Sequence, residues 1–452
     1  MTTSKGLFGH PPGLTTLFMI EVWERASYYG MRAILTLYMV AAITSGGLGF
    51  SAARATELYG TYTGAVYLTP LLGGFIADRL LGPRRTLLIG GVIIALGHFS
   101  LVFATMPSFY CGLALIVAGT GLLKPNISTM VGHLYEEGDA RRNAGFNLVY
   151  MGINIGGALA PLVCGFLAQS QSFKNMLAHA GFDPIHSWHW AFAAAGVGML
   201  FGLLQYWLHR KRLSNIGGKP MLRTAAGTKN AHAGAMSKHE WHRLGAISVL
   251  FVASMFFWMV VEQSGSSITL FADKLVNTSI FGWQFPSTWL QSLNSIFVIA
   301  LTPLFAWLWV YLSKRGTEPS SPAKFSVGLV FLGIGTALMV PASIFAMSGK
   351  ISWLWLLGLY FFQTVGELCL SPIGLATVSE LAPVRFANLI MGAWFLSVAL
   401  GNKLAGQLAG FSDVSSPMSF VWLFGSLGVA ALVIAGSLWM LTPRVKKLMQ
   451  AT

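Results

Sequence analysis

The sequence predicts an all-α integral membrane protein of twelve transmembrane helices arranged as two six-helix bundles. Three observations carry that expectation. Of the 452 residues 54% are hydrophobic and only 10% charged, where a soluble chain would hold about a quarter charged. Apolar segments near the roughly 20 residues that cross a bilayer recur along the whole length. One long polar stretch, RKRLSNIGGKPMLRTAAGTKNAHAGAMSKHEWHRL from Arg210 to Leu244, divides them six and six.

The first expected span, 14–43, is apolar apart from a charged patch at 21–32. It is too long and too charged, and lacks the small-residue site, to be a cleavable leader. The second, 57–77, is interrupted by Gly and Pro; the third, 85–105, opens after Arg84 and Arg85; the fourth, fifth and sixth follow at 109–131, 144–169 and 188–209. Residues 210–243 lack apolar periodicity and are rich in Lys, Gly, Ala and Ser, so they form a linker. The second set lies at 244–272, 287–313, 325–346, 352–377, 386–410 and 418–441, with Glu367 and Pro372 breaking the apolar run of the fourth. The domain boundaries expected are therefore 1–209, 210–243 and 244–452. No further helix pair fits between the halves.

Charge orients the chain. Net charge is +14 from 29 Lys and Arg against 15 Asp and Glu. Loops after the even spans and both termini take most of the basic residues, among them Arg79, Arg84, Arg85, Arg141, Arg142, Arg210, Lys211, Arg212, Lys314 and Arg315. The other side receives Arg54, Lys174, Lys274 and Lys350. That asymmetry places both termini in the cytoplasm of a plasma (inner) membrane protein and removes the need for nucleic acid to explain the charge.

Within the first span, EVWERASYYGMR raises the central question. If helical, Glu24, Arg25, Tyr28, Tyr29 and Arg32 all lie within about 80° of Glu21 around the axis. One such charge alone in hydrocarbon costs several kcal/mol, so the stripe must face partner charges and a wet cavity. A buried ion-pair network that only sets helix packing is the bland alternative. A carboxylate beside a guanidinium suits a proton-driven carrier: the partly desolvated acid exchanges a proton, and the paired Arg, always charged, is freed for an anionic substrate group. Lys124 and Lys403 also lie within expected spans; Lys403 either snorkels or lines a cavity.

Other chemistry is scarce. Cys111, Cys164 and Cys369 fall inside spans without metal-ligand spacing. Among the histidines only His98 lies well inside a span, as a packing residue or a proton relay. No phosphate loop, nucleophile motif or cofactor fingerprint is present, so the expected protein is no enzyme and has no cofactor, and energy for uphill transport has to come from an ion gradient.

Glu21-x-x-Glu24-Arg25 followed by Tyr28-Tyr29-Gly30 resembles the first-helix signature of the proton-dependent oligopeptide transporters, a branch of the major facilitator superfamily. Gly73-Gly74-Phe75-Ile76-Ala77-Asp78-Arg79, FNLVYMGINIGG from Phe146 to Gly157 and GELCLSPIGL from Gly366 to Leu375 match in the same order. The resemblance implies a major facilitator fold, a monomer importing di- and tripeptides with protons. Proton coupling is implied for Glu21, Glu24, Arg25 and Glu262. Arg25 and Lys124 would face the peptide carboxylate, and Glu367 the peptide amino group with help from Asn154 and Asn294. Tyr28, Tyr29 and Tyr67 would line the pocket, Trp258 and Trp394 would wall it, and Arg32 would pair with Glu262 when the outer side closes. The stretch from Gly74 to Arg85 resembles the superfamily's cytoplasmic lock between spans two and three.

Charge supports that division independently, since cations lie in the first half and Glu262 and Glu367 in the second, as a zwitterion requires. Trp258 and Trp394 could equally be packing or belt aromatics, and the two asparagines helix bridges. Ala26, where an aromatic is common, and Ser264, which interrupts the run after Gln263, depart from the family pattern. Carriage of nitrate or another small anion, and a non-transporting sensor, are the competing readings; Glu367 would repel a small anion.

Overall fold

The computed structural model describes residues 6–136, 138–139, 141–218, 237–383, 387–413 and 415–450. Helix dominates throughout. In chain order the helices are α1 (Pro12–Val40), α2 (Ala52–Leu68), α3 (Pro70–Ile76), α4 (Pro83–Ser100), α5 (Met106–Gly132), α6 (Arg142–Gln169), α7 (Gln171–His179), α8 (Ser187–His209), α9 (Lys238–Val261), α10 (Ser267–Leu275), α11 (Ser292–Lys314), α12 (Ser321–Phe345), α13 (Leu354–Leu381), α14 (Ala387–Ala409) and α15 (Pro417–Gln450). Among the described residues four two-residue strands occur in loops; Val276–Asn277 pairs in parallel with Ile351–Ser352.

Among the described residues each apolar segment anticipated above lies mostly in helix, although the first helix ends at Val40 and the third expected span ends in a turn after Ser100. Among the described residues, eight helical segments are long and apolar enough to cross a membrane: 106–132, 142–169, 184–213, 238–275, 287–314, 321–345, 354–381 and 417–449. The remaining four expected spans fall short of that standard for identifiable reasons. α1 carries Glu21, Glu24, Arg25 and Arg32. The 57–77 segment is split between α2 and α3 at Thr69 and Pro70, and α4 has 18 residues beginning Pro-Arg-Arg. α14 carries Lys403, Asn402 and Gln407.

Local chemistry sets the ends. Pro12 starts α1, where a missing N–H is harmless. Thr105 caps α5 by accepting from the Ser108 N–H, and Ser237 with Glu240 closes a reciprocal capping box on α9. Most of the linker expected at 210–243 lies outside the described residues; a short 3₁₀ turn at Arg210–Leu213 begins it.

The chain divides into two compact units. The first takes the described residues within 1–49, 65–224 and 284–295; the second those within 50–64, 225–283 and 296–452. In the first, a core joins Leu14, Leu17 and Ile20 of α1 to Leu87 and Ile94 of α4, Leu123, Ile127 and Met130 of α5, and Met199 and Tyr206 of α8. α6 completes the surroundings of α1: a Cβ on Gly156 would come within 2.6 Å of Val22 O and 2.8 Å of Ala26 N, so only glycine admits that approach. In the second unit, Phe271 packs on Phe420 and Phe424 at 5.2 and 5.9 Å between ring centroids, and the start of α2 crosses α14 closely. There a Cβ on Gly60 would meet Asn402 O at 2.7 Å and Gly406 Cα at 2.8 Å.

Candidate functional site

α1 holds its charges on the buried side. Glu21, Glu24 and Arg25 are 3%, 1% and 1% exposed. The Arg25 guanidinium grips Glu24 through two donors, Nε to Oε2 and Nη2 to Oε1, the latter at 2.5 Å. Its Nε also stands 3.8 Å from Glu21 Oε1, one helical turn back. Aromatic faces cover the cation: the guanidinium carbon lies 4.8 Å from the Tyr28 ring centroid and 5.9 Å from that of Tyr29. Arg32 approaches the same Tyr29 ring at 5.7 Å.

α5 adds the second cation. Lys124 interacts electrostatically with Arg25, Glu24 and Glu21, and its ammonium lies 4.3 Å from the centroid of Tyr67 of α2. Both carboxylates and both cations belong to the first unit. Fully ionised, the four charges cancel. Such a cluster can admit one proton and one anionic group together without leaving an unmatched charge, whereas either alone leaves one, at a cost of several kcal/mol at that depth. The stripe anticipated on α1 is therefore a linked cluster in which Arg25 bonds Glu24 and Glu21 stands off.

Asn154 of α6 is 7% exposed and donates to Tyr150 O one turn earlier at 3.0 Å. Asn294, expected to assist Glu367, belongs to the first unit, while Glu367 belongs to the second. Arg32 and Glu262 are likewise divided.

In the second unit α9 ends at Val261, and Glu262, 3% exposed, begins a 3₁₀ turn that re-aims the chain into α10. The Tyr59 hydroxyl of α2 donates to Glu262 Oε2 at 3.5 Å. Around that turn Gln263 donates to Ala405 O at 3.1 Å and accepts from Ser267 at 2.6 Å. Ser264 reaches Gln363 Oε1 of α13 at 3.4 Å, so this departure from the family pattern has a polar partner. Glu367 is half-buried on α13. Trp258 stands edge-on to Phe257 at 5.6 Å; Trp394 is 5% exposed, packed edge-on to Phe325 at 6.3 Å.

Two features were invisible in the sequence. Tyr59 carried no motif, and only the fold brings it to Glu262. Lys324, one residue outside the expected span 325–346, is 5% exposed; it bonds Glu318 Oε1 at 2.5 Å and lies 4.4 Å from the Trp309 ring centroid. The Glu318 carboxyl is held below its ordinary range, first by that lysine's hydrogen bond. Of the alternatives weighed for Lys403, the structure has it bonding Thr61 at 2.7 Å and facing Glu57 at 3.5 Å, at the α2–α14 crossing. His98 is fully buried on α4, and neither ring nitrogen has a hydrogen-bond partner among the described residues.

A balanced charge cluster buried in an all-helical chain that crosses a membrane many times is the equipment of a carrier for a polar solute. The chain belongs to the POT family, whose pattern matches residues 84–227 and 222–423. It is 36% identical to an uncharacterized transporter, YclF, of Bacillus subtilis over 99% of this chain and 96% of that one. It is 34% identical to a di-/tripeptide transporter of Lactococcus lactis subsp. cremoris over 96% of each. The crystal structure of a peptide transporter POT variant in complex with alafosfalin superposes with a TM-score of 0.89 at 36% identity, covering 99% of this chain and 98% of that one. The protein is thus a multi-pass membrane transporter and not an enzyme.

Proposed function

We propose that the protein is a proton-coupled symporter that imports di- and tripeptides by alternating access, built as two six-helix halves, 1–209 and 244–452, joined by the 210–243 linker, with twelve spans and both termini cytoplasmic in the plasma membrane. The observation that carries this reading is the neutral cluster of Glu21, Glu24, Arg25 and Lys124. A peptide brings one carboxylate, and a proton taken by Glu21 restores neutrality, so the two are favoured together. Arg25 and Lys124 receive the peptide carboxylate; Glu367 receives the ammonium, with Asn154 and Asn294 as polar neighbours. Tyr28, Tyr29 and Tyr67 line the pocket, and Trp258 walls it for side chains. Arg32 and Glu262 serve the outer gate, and Tyr59 holds Glu262 for that role. Trp394 contributes by packing. The protein works as a monomer, with no cofactor beyond the proton.

Purified protein in liposomes tests the function: labelled dialanine uptake rises with an inward proton gradient, and unlabelled di- and tripeptides compete while nitrate does not. Gradient-independent uptake, or competition by nitrate alone, contradicts it.

A further inference from the structure

The first unit carries a second binding feature, on the outside of the helices and away from the charge cluster. Between α4 and α8 runs an open apolar groove of about 590 Å³. Leu88 and Val92 form one wall; Val197, Leu200, Leu204 and Trp207 form the other. These side chains are 36–53% exposed, with Trp207 at 53% and Leu204 at 52%. From Val197 to Trp207 the groove follows ten helical residues, about 15 Å.

One end is strongly basic. α4 begins with Arg84 and Arg85, and α8 passes into Arg210, Lys211 and Arg212. The two ends are stapled together: Arg84 Nη1 donates to Leu213 O and Ser214 O at 3.3 Å each, Arg84 N donates to Gly217 O at 2.9 Å, and the Tyr206 hydroxyl donates to Arg84 O at 3.4 Å. Arg84 is thereby committed to backbone. Arg85, Arg210 and Lys211 stay exposed, and Arg210 stacks its guanidinium 5.0 Å from the Trp207 ring centroid, at the mouth of the groove. The N-terminal end of α4 adds its positive dipole there. Asp78, exposed on the turn before α4, is the acidic residue nearest in sequence.

We propose that this is a binding site for an anionic phospholipid, with one acyl chain along the α4–α8 groove and the headgroup phosphate held by Arg85, Arg210 and Lys211. Charge complementarity chooses the occupant. A neutral lipid would fill the groove but leave three clustered cations without a counter-charge, whereas an anionic headgroup supplies one where the apolar wall ends. Trp207 marks the level at which hydrocarbon gives way to headgroups.

Native mass spectrometry of the full chain, delipidated and returned to phosphatidylglycerol or to phosphatidylcholine of matched acyl chains, tests the site. The expected result is one phosphatidylglycerol retained at collision energies that strip phosphatidylcholine. Arg85→Gln with Arg210→Gln should weaken that retention at least about tenfold, and Arg315→Gln, a basic residue elsewhere, should not. Val197→Trp, which fills the groove and leaves every cation in place, should weaken it as well, so a double variant that fails to fold leaves the idea open to refutation. Equal retention of the two lipids, indifference to both kinds of variant, or displacement of the lipid by inorganic phosphate would overturn the proposal. The readout is lipid, not transport, so its failure is distinct from failure of the peptide reading.

Discussion

Two buried cations, Arg25 and Lys324, sit in contrasting company. Arg25 is gripped by Glu24 and approached by Glu21, with Lys124 nearby, all inside the helical part of the first unit. Lys324 has one carboxylate, Glu318, whose side chain is 37% exposed, and one aromatic face, Trp309. The difference is one of redundancy. Where two carboxylates stand at one guanidinium, either can accept a proton while the cation keeps a partner; where a single carboxylate stands there, the pair can only hold or break. The first arrangement suits a switch and the second a fixed staple between the α11–α12 loop and the head of α12.

Glu21→Gln breaks that contrast most severely. It removes the second carboxylate and leaves the Arg25–Glu24 grip, so gradient-driven dialanine uptake should fall to background while exchange of labelled for unlabelled peptide across the membrane persists. Next is Arg25→Lys, which keeps the charge and loses the two-pronged grip; uptake should drop by about tenfold or more with folding unchanged by circular dichroism. Lys324→Met should act on the other axis. Its loss should lower stability in detergent by no more than about 1 kcal/mol, since Glu318 stays hydrated, and leave uptake per folded molecule near that of the parent.

The smallest expected effect is a pH dependence. Because Lys324 holds the Glu318 carboxyl below its ordinary 4.5, the staple contributes stability that is fully present above that value and is lost as pH falls through the lowered one. The gap in melting temperature between parent and Glu318→Gln should stay constant from neutral pH to about 5 and close below 4.5, and should correspond to no more than about 1 kcal/mol because Glu318 is half in water. A gap that changes near pH 7 would show that another group carries it.

Much of this was legible in the residues. Helical periodicity alone put Glu21, Glu24, Arg25 and Tyr28 on one stripe, because burying charge in an apolar run leaves few alternatives. The apolar runs located the helices, although α1, α2, α4 and α14 carry enough charge, breaks or polar groups that composition by itself does not make them spans. Pairings between distant elements were not legible. Tyr59 with Glu262, Ser264 with Gln363 and Lys324 with Glu318 depend on which helix faces lie together, and no local pattern encodes that. Ala26 departs from the family pattern, and nothing in the structure explains it.

The central claim is that one cluster binds a proton and a peptide carboxylate together. Proteoliposomes loaded with a pH-sensitive dye, held at zero membrane potential and given external dialanine, test it most directly. The account predicts that dialanine entry acidifies the lumen in the parent and that Glu21→Gln exchanges peptide without acidification. Net dialanine entry with no proton movement in the parent, or acidification that persists in Glu21→Gln, would contradict it.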